Sequence, residues 1–226
     1  MTLWTRISDA LAALTQGESL TAVFDKLRSP PERSVAFAIA VIALGAKMAK
    51  ADGQVTRAEV TAFREVFQIA AEDEAGAAKV FNLARQDVAG FEDYATRIQK
   101  MFDGQEGTLC DLMEGLFHIA MADGFYHPNE NLFLKRVAEI FGLPDASFQA
   151  LRARFVPDAH PDPYTVLGVS ADAPISSVRK VWRELVRSNH PDAMIARGVP
   201  PEAVKLAEKR LIDINRAWEA IKEAHG

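Results

Sequence analysis

The chain has 226 residues, a length that suits two small domains or one large one, and its 49% hydrophobic and 25% charged residues are the balance of a soluble globular protein. Its formal net charge of −5 divides unevenly: residues 161–226 hold 10 Lys/Arg and 9 Asp/Glu, residues 1–160 the other 16 and 22, and so acidic an N-terminal part argues against nucleic acid as a partner. The single cysteine, Cys110, excludes an intrachain disulfide and a zinc finger, and suits a reducing, cytoplasmic setting.

The first segment, residues 1–30, carries a predicted helix over Leu3–Leu14 with Leu3, Trp4, Ile7, Leu11 and Leu14 on one face. The opposite face lacks the lysines and arginines that adsorption to a membrane favours, so packing on the rest of the chain is expected. Arg6 is its one early basic residue and no long apolar stretch follows, so the start does not read as a signal peptide. The longest apolar run, Val35–Ala46, stops at Lys47 and Lys50. A helix of that length rises about 18 Å, short of the roughly 30 Å hydrocarbon core of a bilayer. A buried core helix is predicted, and no transmembrane span.

Residues 31–155 read as one helical bundle containing an internal repeat. Ala46–Ile69 matches Phe117–Ile140 at a constant offset of 71, and Ala49, Ala51, Asp52, Gly53, Glu59, Val66 and Ile69 recur as Ala120, Ala122, Asp123, Gly124, Glu130, Val137 and Ile140. Each copy reads as a helix, a break at Asp-Gly and a second helix; Phe63, Val66, Phe67 and Ala70 form the stripe of one such helix. Two such hairpins with connecting helices make a pseudo-twofold bundle of about seven helices.

The repeated carboxylates Asp52, Glu59, Asp123 and Glu130 are a candidate divalent-cation set, since hard cations take oxygen ligands. Their spacing is not that of an EF-hand. A structural role is preferred: Thr56-Arg57-Ala58-Glu59 is a capping box, Pro128 and Glu130 fall at the first and third positions of the equivalent helix, and the Asp-Gly pairs are turns. His118 and His127 flank the second turn, but Lys47 and Thr56 replace them in the first copy, so no symmetric metal site is expected. Cys110 sits among apolar neighbours with no basic residue beside it in sequence, which suits a packed thiol rather than a nucleophile.

The bundle ends at a proline-rich linker, residues 156–163, where Pro157, Pro161 and Pro163 forbid a continuous helix. Residues 164–226 form a second domain. A helix from about Pro174 to Ser188, with Pro174 at its first position, has Val178, Val181, Trp182, Leu185 and Val186 as its apolar stripe. Arg179, Lys180, Arg183 and Arg187 lie on its outer face. A second helix from about Glu202 to Ala224 turns Leu211, Ile214, Trp218 and Ile221 inward, making an antiparallel hairpin. An exposed loop opening with His190-Pro191-Asp192 joins them.

These residues resemble the J-domains of the DnaJ family. Asp162-Pro163-Tyr164-Thr165-Val166-Leu167-Gly168-Val169 resembles their first helix, VRKVWRELVRSNHPD their second helix and signature loop, and AEKRLIDINRAWEAIKEA their third. An earlier His160-Pro161-Asp162 has no basic helix before it and falls outside the signature loop. The loop from Met194 to about Pro201 is long, as in the DjlA subgroup of bacterial J-proteins. Members of that subgroup carry a TerB-like bundle ahead of the J-domain, and the Ala-Asp-Gly repeats resemble TerB. They usually begin with a membrane anchor. Here SDALAALTQGESLTAVFDKL is broken by Gln16, Glu18 and Asp25, so no anchor is expected there, and peripheral association with the inner membrane stays open.

The resemblance implies an all-α protein, a TerB-like bundle followed by a small three-helix J-domain, acting as a co-chaperone. A DnaK-type heat-shock chaperone would be the partner. Arg179, Lys180, Arg183 and Arg187 would steer and orient the complex. Pro191 would stiffen the loop, Asp192 would pair with a cation on the partner, and His190 would supply a directional hydrogen bond. The chaperone would hydrolyse the ATP, and this chain would shift its conformational populations. Many J-domains continue the basic strip where this chain has Glu184, and follow the tripeptide with a cation where it has Ala193; both weaken the positive surface. The other reading is a TerB-like cation-binding stress protein with a vestigial J-like tail. A hydrolase finds little support, because no phosphate-cradling glycine loop, nucleophile elbow or metalloprotease helix is present. The bundle would recruit or sense a partner of its own, which the sequence does not identify, and a homodimer is left open.

Overall fold

A computed structural model describes Ile7, residues 32–52, Thr61, Ala78, Phe81, and residues 90–156, 162–200 and 204–225. Outside the described residues lie the rest of the predicted N-terminal helix, the turn at Gly53 with the capping box Thr56–Glu59, the stripe from Phe63 to Ala70, and residues 157–161 of the linker with His160-Pro161. Among the described residues the protein is all-α, with nine helices and no strand.

The helix α1 (Glu32–Asp52) contains the long apolar run, and Val35–Leu44 are 0–1% exposed. A helix apolar all round has to be enclosed on every side, and α1 packs against α2 (Phe91–Met101), α3 (Glu106–Ala120) and α4 (Pro128–Ile140). Small residues let α1 and α3 approach. A Cβ on Gly45 would stand 3.1 Å from Ile119 Cδ1, and one on Gly115 would stand 3.4 Å from Val41 Cγ1. Phe117 of α3 centres the aromatic core, with Tyr126, Phe148 and Phe155 ring centroids at 6.0, 5.7 and 5.8 Å. Ile7, one residue of the predicted N-terminal apolar face, is fully buried in the same core.

The second repeat copy follows the sequence reading. The helix α3 ends at Ala120, Gly124 takes a φ of +81°, and α4 starts with Pro128 at its first turn. In the first copy α1 runs to Asp52. The bundle closes with α5 (Asp145–Phe155), beyond which Val156 is extended.

Asp162 then caps α6 (Pro163–Leu167), accepting from the backbone N–H groups of Tyr164 and Thr165 at 3.4 and 2.9 Å. Gly168, at a φ of +68°, ends that helix in the left-handed region that glycine tolerates. Next come α7 (Ile175–Ser188), α8 (Pro191–Ala196) and α9 (Val204–Ala224). A second core joins Val166, Leu167, Val178, Ile214, Ala217, Trp218 and Ile221. The short α6 packs against both α9 and the bundle helix α5, so the two units meet along it.

Two local expectations are corrected. Pro174 caps α7 from just outside, its carbonyl accepting from Ser177 and Val178 N–H at 2.8 and 3.1 Å, rather than occupying the first helical position. The segment after His190 is not an open loop. Pro191, pre-set for a first helical turn, starts α8 and carries Met194 inward, where Met194 and Val199 join the bundle core at 0% and 1% exposure.

Candidate functional site

The hairpin of α7 and α9 displays the predicted basic face. Val178 anchors α7 at 1% exposure, with Val181, Trp182, Leu185 and Val186 half-buried behind it. Trp182 stacks on Trp218 of α9 and donates its indole N–H to Asn215 Oδ1 at 3.0 Å. With that side committed to α9, Arg179, Lys180, Arg183 and Arg187 are left exposed, and Glu184 stands exposed among them.

At the end of α7, Asn189 is buried and donates through Nδ2 to Leu185 O at 2.7 Å, satisfying a terminal carbonyl of the helix. The backbone turns at His190 (φ −65°, ψ 139°), which caps α8. Its Nδ1 accepts the Asp192 backbone N–H at 3.3 Å, and Asp192 Oδ2 lies 3.5 Å from the same nitrogen. A neutral ring accepting at Nδ1 carries its proton on Nε2. The side chains of His190 and Asp192 are 56% and 89% exposed. The turn therefore offers solvent one imidazole donor and one carboxylate, on a rigid proline, beside four cations. Such a surface fits an acidic protein face with a cation near its edge.

Sequence reasoning missed the charged cluster behind this turn. Asp111 and Glu114 of α3 are buried at 0% and 2% exposure. Asp111 Oδ1 accepts from Arg210 Nη1 and its Oδ2 from Arg197 Nη2, each at 2.8 Å. Arg210 also pairs with Glu114 through Nη2 and donates to Asn189 Oδ1. Arg154 of α5 reaches Glu114 Oε1 at 3.7 Å. Burial pushes the Arg154 guanidinium down to about 10, against the pull of Asp213, Cys110 and Asp111. Two carboxylates three residues apart, among Leu109, Leu112, Met113 and Leu116 in the apolar middle of the helix, were the available signal, since buried charges need partners.

Cys110 lies beside this cluster. Arg210 and Arg154 are near it in space, a correction to the neighbourhood its flanking sequence suggests. Burial outweighs both and pushes the thiol up to about 11, so it remains a packed thiol.

The acidic repeats have structural work where they are described. Glu130 Oε2 accepts the His127 backbone N–H at 2.9 Å, the back-reaching half of a capping box. Asp123 Oδ1 accepts the Phe125 N–H at 2.8 Å within the turn, and Asp123 Oδ2 is 4.0 Å from His127 Nε2. Glu59 and the Asp52 side chain lie outside the described residues. Among the described residues no three His, Cys, Asp or Glu side chains come together in a way that could hold a metal ion.

The family model described as tellurite resistance protein TerB matches residues 38–153, from within α1 almost to the end of α5. The chain belongs to the TerB family. The TerB match stops short of the linker, and the J-domain-like helices follow it. Along nearly its full length the chain is also similar to co-chaperone proteins named DjlA. That of Vibrio parahaemolyticus is 27% identical over 254 residues, covering 96% of this chain and 88% of the relative. Those of Salmonella typhimurium and Escherichia coli are 25% and 24% identical, each covering 100% of this chain and 99% of the relative. The chain is thus DjlA-like, a TerB bundle followed by J-domain-like helices, and the likeness supports a co-chaperone role. No solved structure matches the chain. Among the described residues no helix is long and apolar enough to cross a membrane.

Proposed function

We propose that this chain binds a DnaK-type heat-shock chaperone through its C-terminal hairpin and stimulates the chaperone's ATP hydrolysis. The observation that carries the reading is the exposed His190-Pro191-Asp192 turn at the end of a helix whose outer face holds Arg179, Lys180, Arg183 and Arg187. The relatives named as co-chaperones, matched through this region, add to it.

The geometry supports a role for each residue in this reading. The four cations steer the encounter with an acidic face and set its orientation. Pro191 and the α8 turn hold the tripeptide in one conformation, so little ordering entropy is lost on binding. Asp192 pairs with a cation on the partner, and His190 donates from Nε2. The step accelerated is the chaperone's own hydrolysis, through preference for its hydrolysis-competent conformation. The TerB bundle recruits or senses a further partner.

Single-turnover ATP hydrolysis by a DnaK-type chaperone of the same organism tests the reading, with this chain and its His190→Gln variant. Stimulation by the native chain and none by the variant is expected. A native chain without effect overturns the proposal for that partner.

A further inference from the structure

The tripeptide turn is exposed, yet the residues on both sides of it are tied to the bundle. Before it, the Ser188 carbonyl accepts from Arg197 Nη1 at 2.6 Å, and the Asn189 amide oxygen accepts from Arg210. Both guanidiniums also donate to one bundle carboxylate, Asp111, with one oxygen for each: Arg197 through Nη2, and Arg210 through the same Nη1 that reaches Asn189 while its Nη2 pairs with Glu114. After the turn, Met194 and Val199 are sunk into the bundle core. Gly107 at the start of α3 leaves room for this: a Cβ there would lie 3.1 Å from Arg197 Nε.

We propose that Asp111 of the TerB bundle is a positioning residue for the His190-Pro191-Asp192 turn, so that the chaperone-binding surface is complete only while bundle and hairpin are docked. This rests on the co-chaperone reading. Asp111 is 0% exposed and its hydrogen bonds run to Arg197 and Arg210, so it acts on the turn through those two side chains. Its charge is what lets two guanidiniums converge in a buried place; as an amide it would leave them facing each other with Glu114 the nearest remaining counter-charge. The contacts they would then lose are those at Ser188 and Asn189, the two residues that aim His190. Docking covers neither His190 nor the basic strip, so the bundle orients this surface without occluding it. Displacing α3 therefore reaches the turn through Arg197 and Arg210 on one side, while Met194 and Val199 tie its other side to the bundle core.

The test uses the full chain and its Asp111→Asn, Asp111→Glu and Arg197→Gln variants. Single-turnover hydrolysis is titrated with each, and the backbone amide signals of residues 189–192 are recorded by NMR. Asp111→Asn is expected to keep its helical circular dichroism, to move or broaden those amide signals, and to lower maximal stimulation roughly 10- to 100-fold, the scale on which a misplaced reacting group acts. The half-saturating concentration, set by the basic strip, should change far less, and Asp111→Glu should restore part of the maximum. Equal maxima for the native and Asp111→Asn chains, or a loss seen only in half-saturation, overturns the inference. If Asp111→Asn fails to fold, Arg197→Gln, at the partly exposed rim of the cluster, decides by the same two readouts. A native chain without stimulation overturns the co-chaperone reading, and the amide signals alone then decide whether Asp111 positions the turn.

Discussion

Trp182 of α7 and Trp218 of α9 stack with ring centroids 5.2 Å apart and planes only 14° from parallel. This pair joins the helix bearing the basic strip to the helix bearing Arg210. It lies in the small second core rather than in the bundle, and few other large side chains share that core.

Trp218 is 7% exposed, so Trp218→Ala removes a large ring from a place that cannot refill. The expected loss is about 3–5 kcal/mol, while Trp218→Phe, which keeps an aromatic partner for Trp182, should cost clearly less. Urea unfolding followed by circular dichroism measures both. If Trp218→Ala unfolds at the native midpoint, the hairpin core is not what holds α7 in place.

The second copy's turn and helix and the three J-like segments were legible because each is local: an Asp-Gly break, a Pro-started helix and a basic face all announce themselves within a few turns. The docking of the two units was not. Asp111 and Arg210 stand 99 residues apart, and neither helical period nor turn chemistry relates them. In sequence Arg197 sits beside Gly198, Pro200 and Pro201 and reads as a loop tip. In the fold its side chain spans from the end of α7 to α3. The proline linker suggested separation, but α6, which starts at the linker's last residue Pro163, packs back on α5. Cys110 shows the same gap, since its charged neighbours come from α5 and α9 rather than from its own flanks.

Cys110 supplies a pH-dependent prediction. The folded thiol is pushed from 9.0 up to about 11, so the folded chain holds this proton to higher pH than the unfolded chain does. The stabilisation is fully present below about pH 9 and is lost as pH rises through about 11. At pH 8 the thiolate fraction, and with it the rate of alkylation by iodoacetamide, should be about 100-fold below that of an unperturbed cysteine. Denaturant should restore the rate. Fast alkylation of the native chain at pH 8 would show that the thiol is reached from solvent.

The exposed strip on α7 makes a prediction about association. Exposed cations act through long-range steering, screened over roughly 8–10 Å at 0.10–0.15 M salt, so they should govern how readily the partner is found. Arg183→Glu reverses one charge in the middle of the strip, and is expected to raise the half-saturating concentration for stimulation about tenfold at low salt, with the difference shrinking as salt is added. Glu184→Lys should move the same quantity the other way, because it fills the gap the strip carries at that position. Arg216→Glu, an exposed change on α9 rather than α7, controls for net charge. Titrations of ATPase stimulation at two salt concentrations separate these outcomes. If Arg183→Glu and Arg216→Glu behaved alike, the effect would belong to total charge, and the strip would be an ordinary solvated helix face.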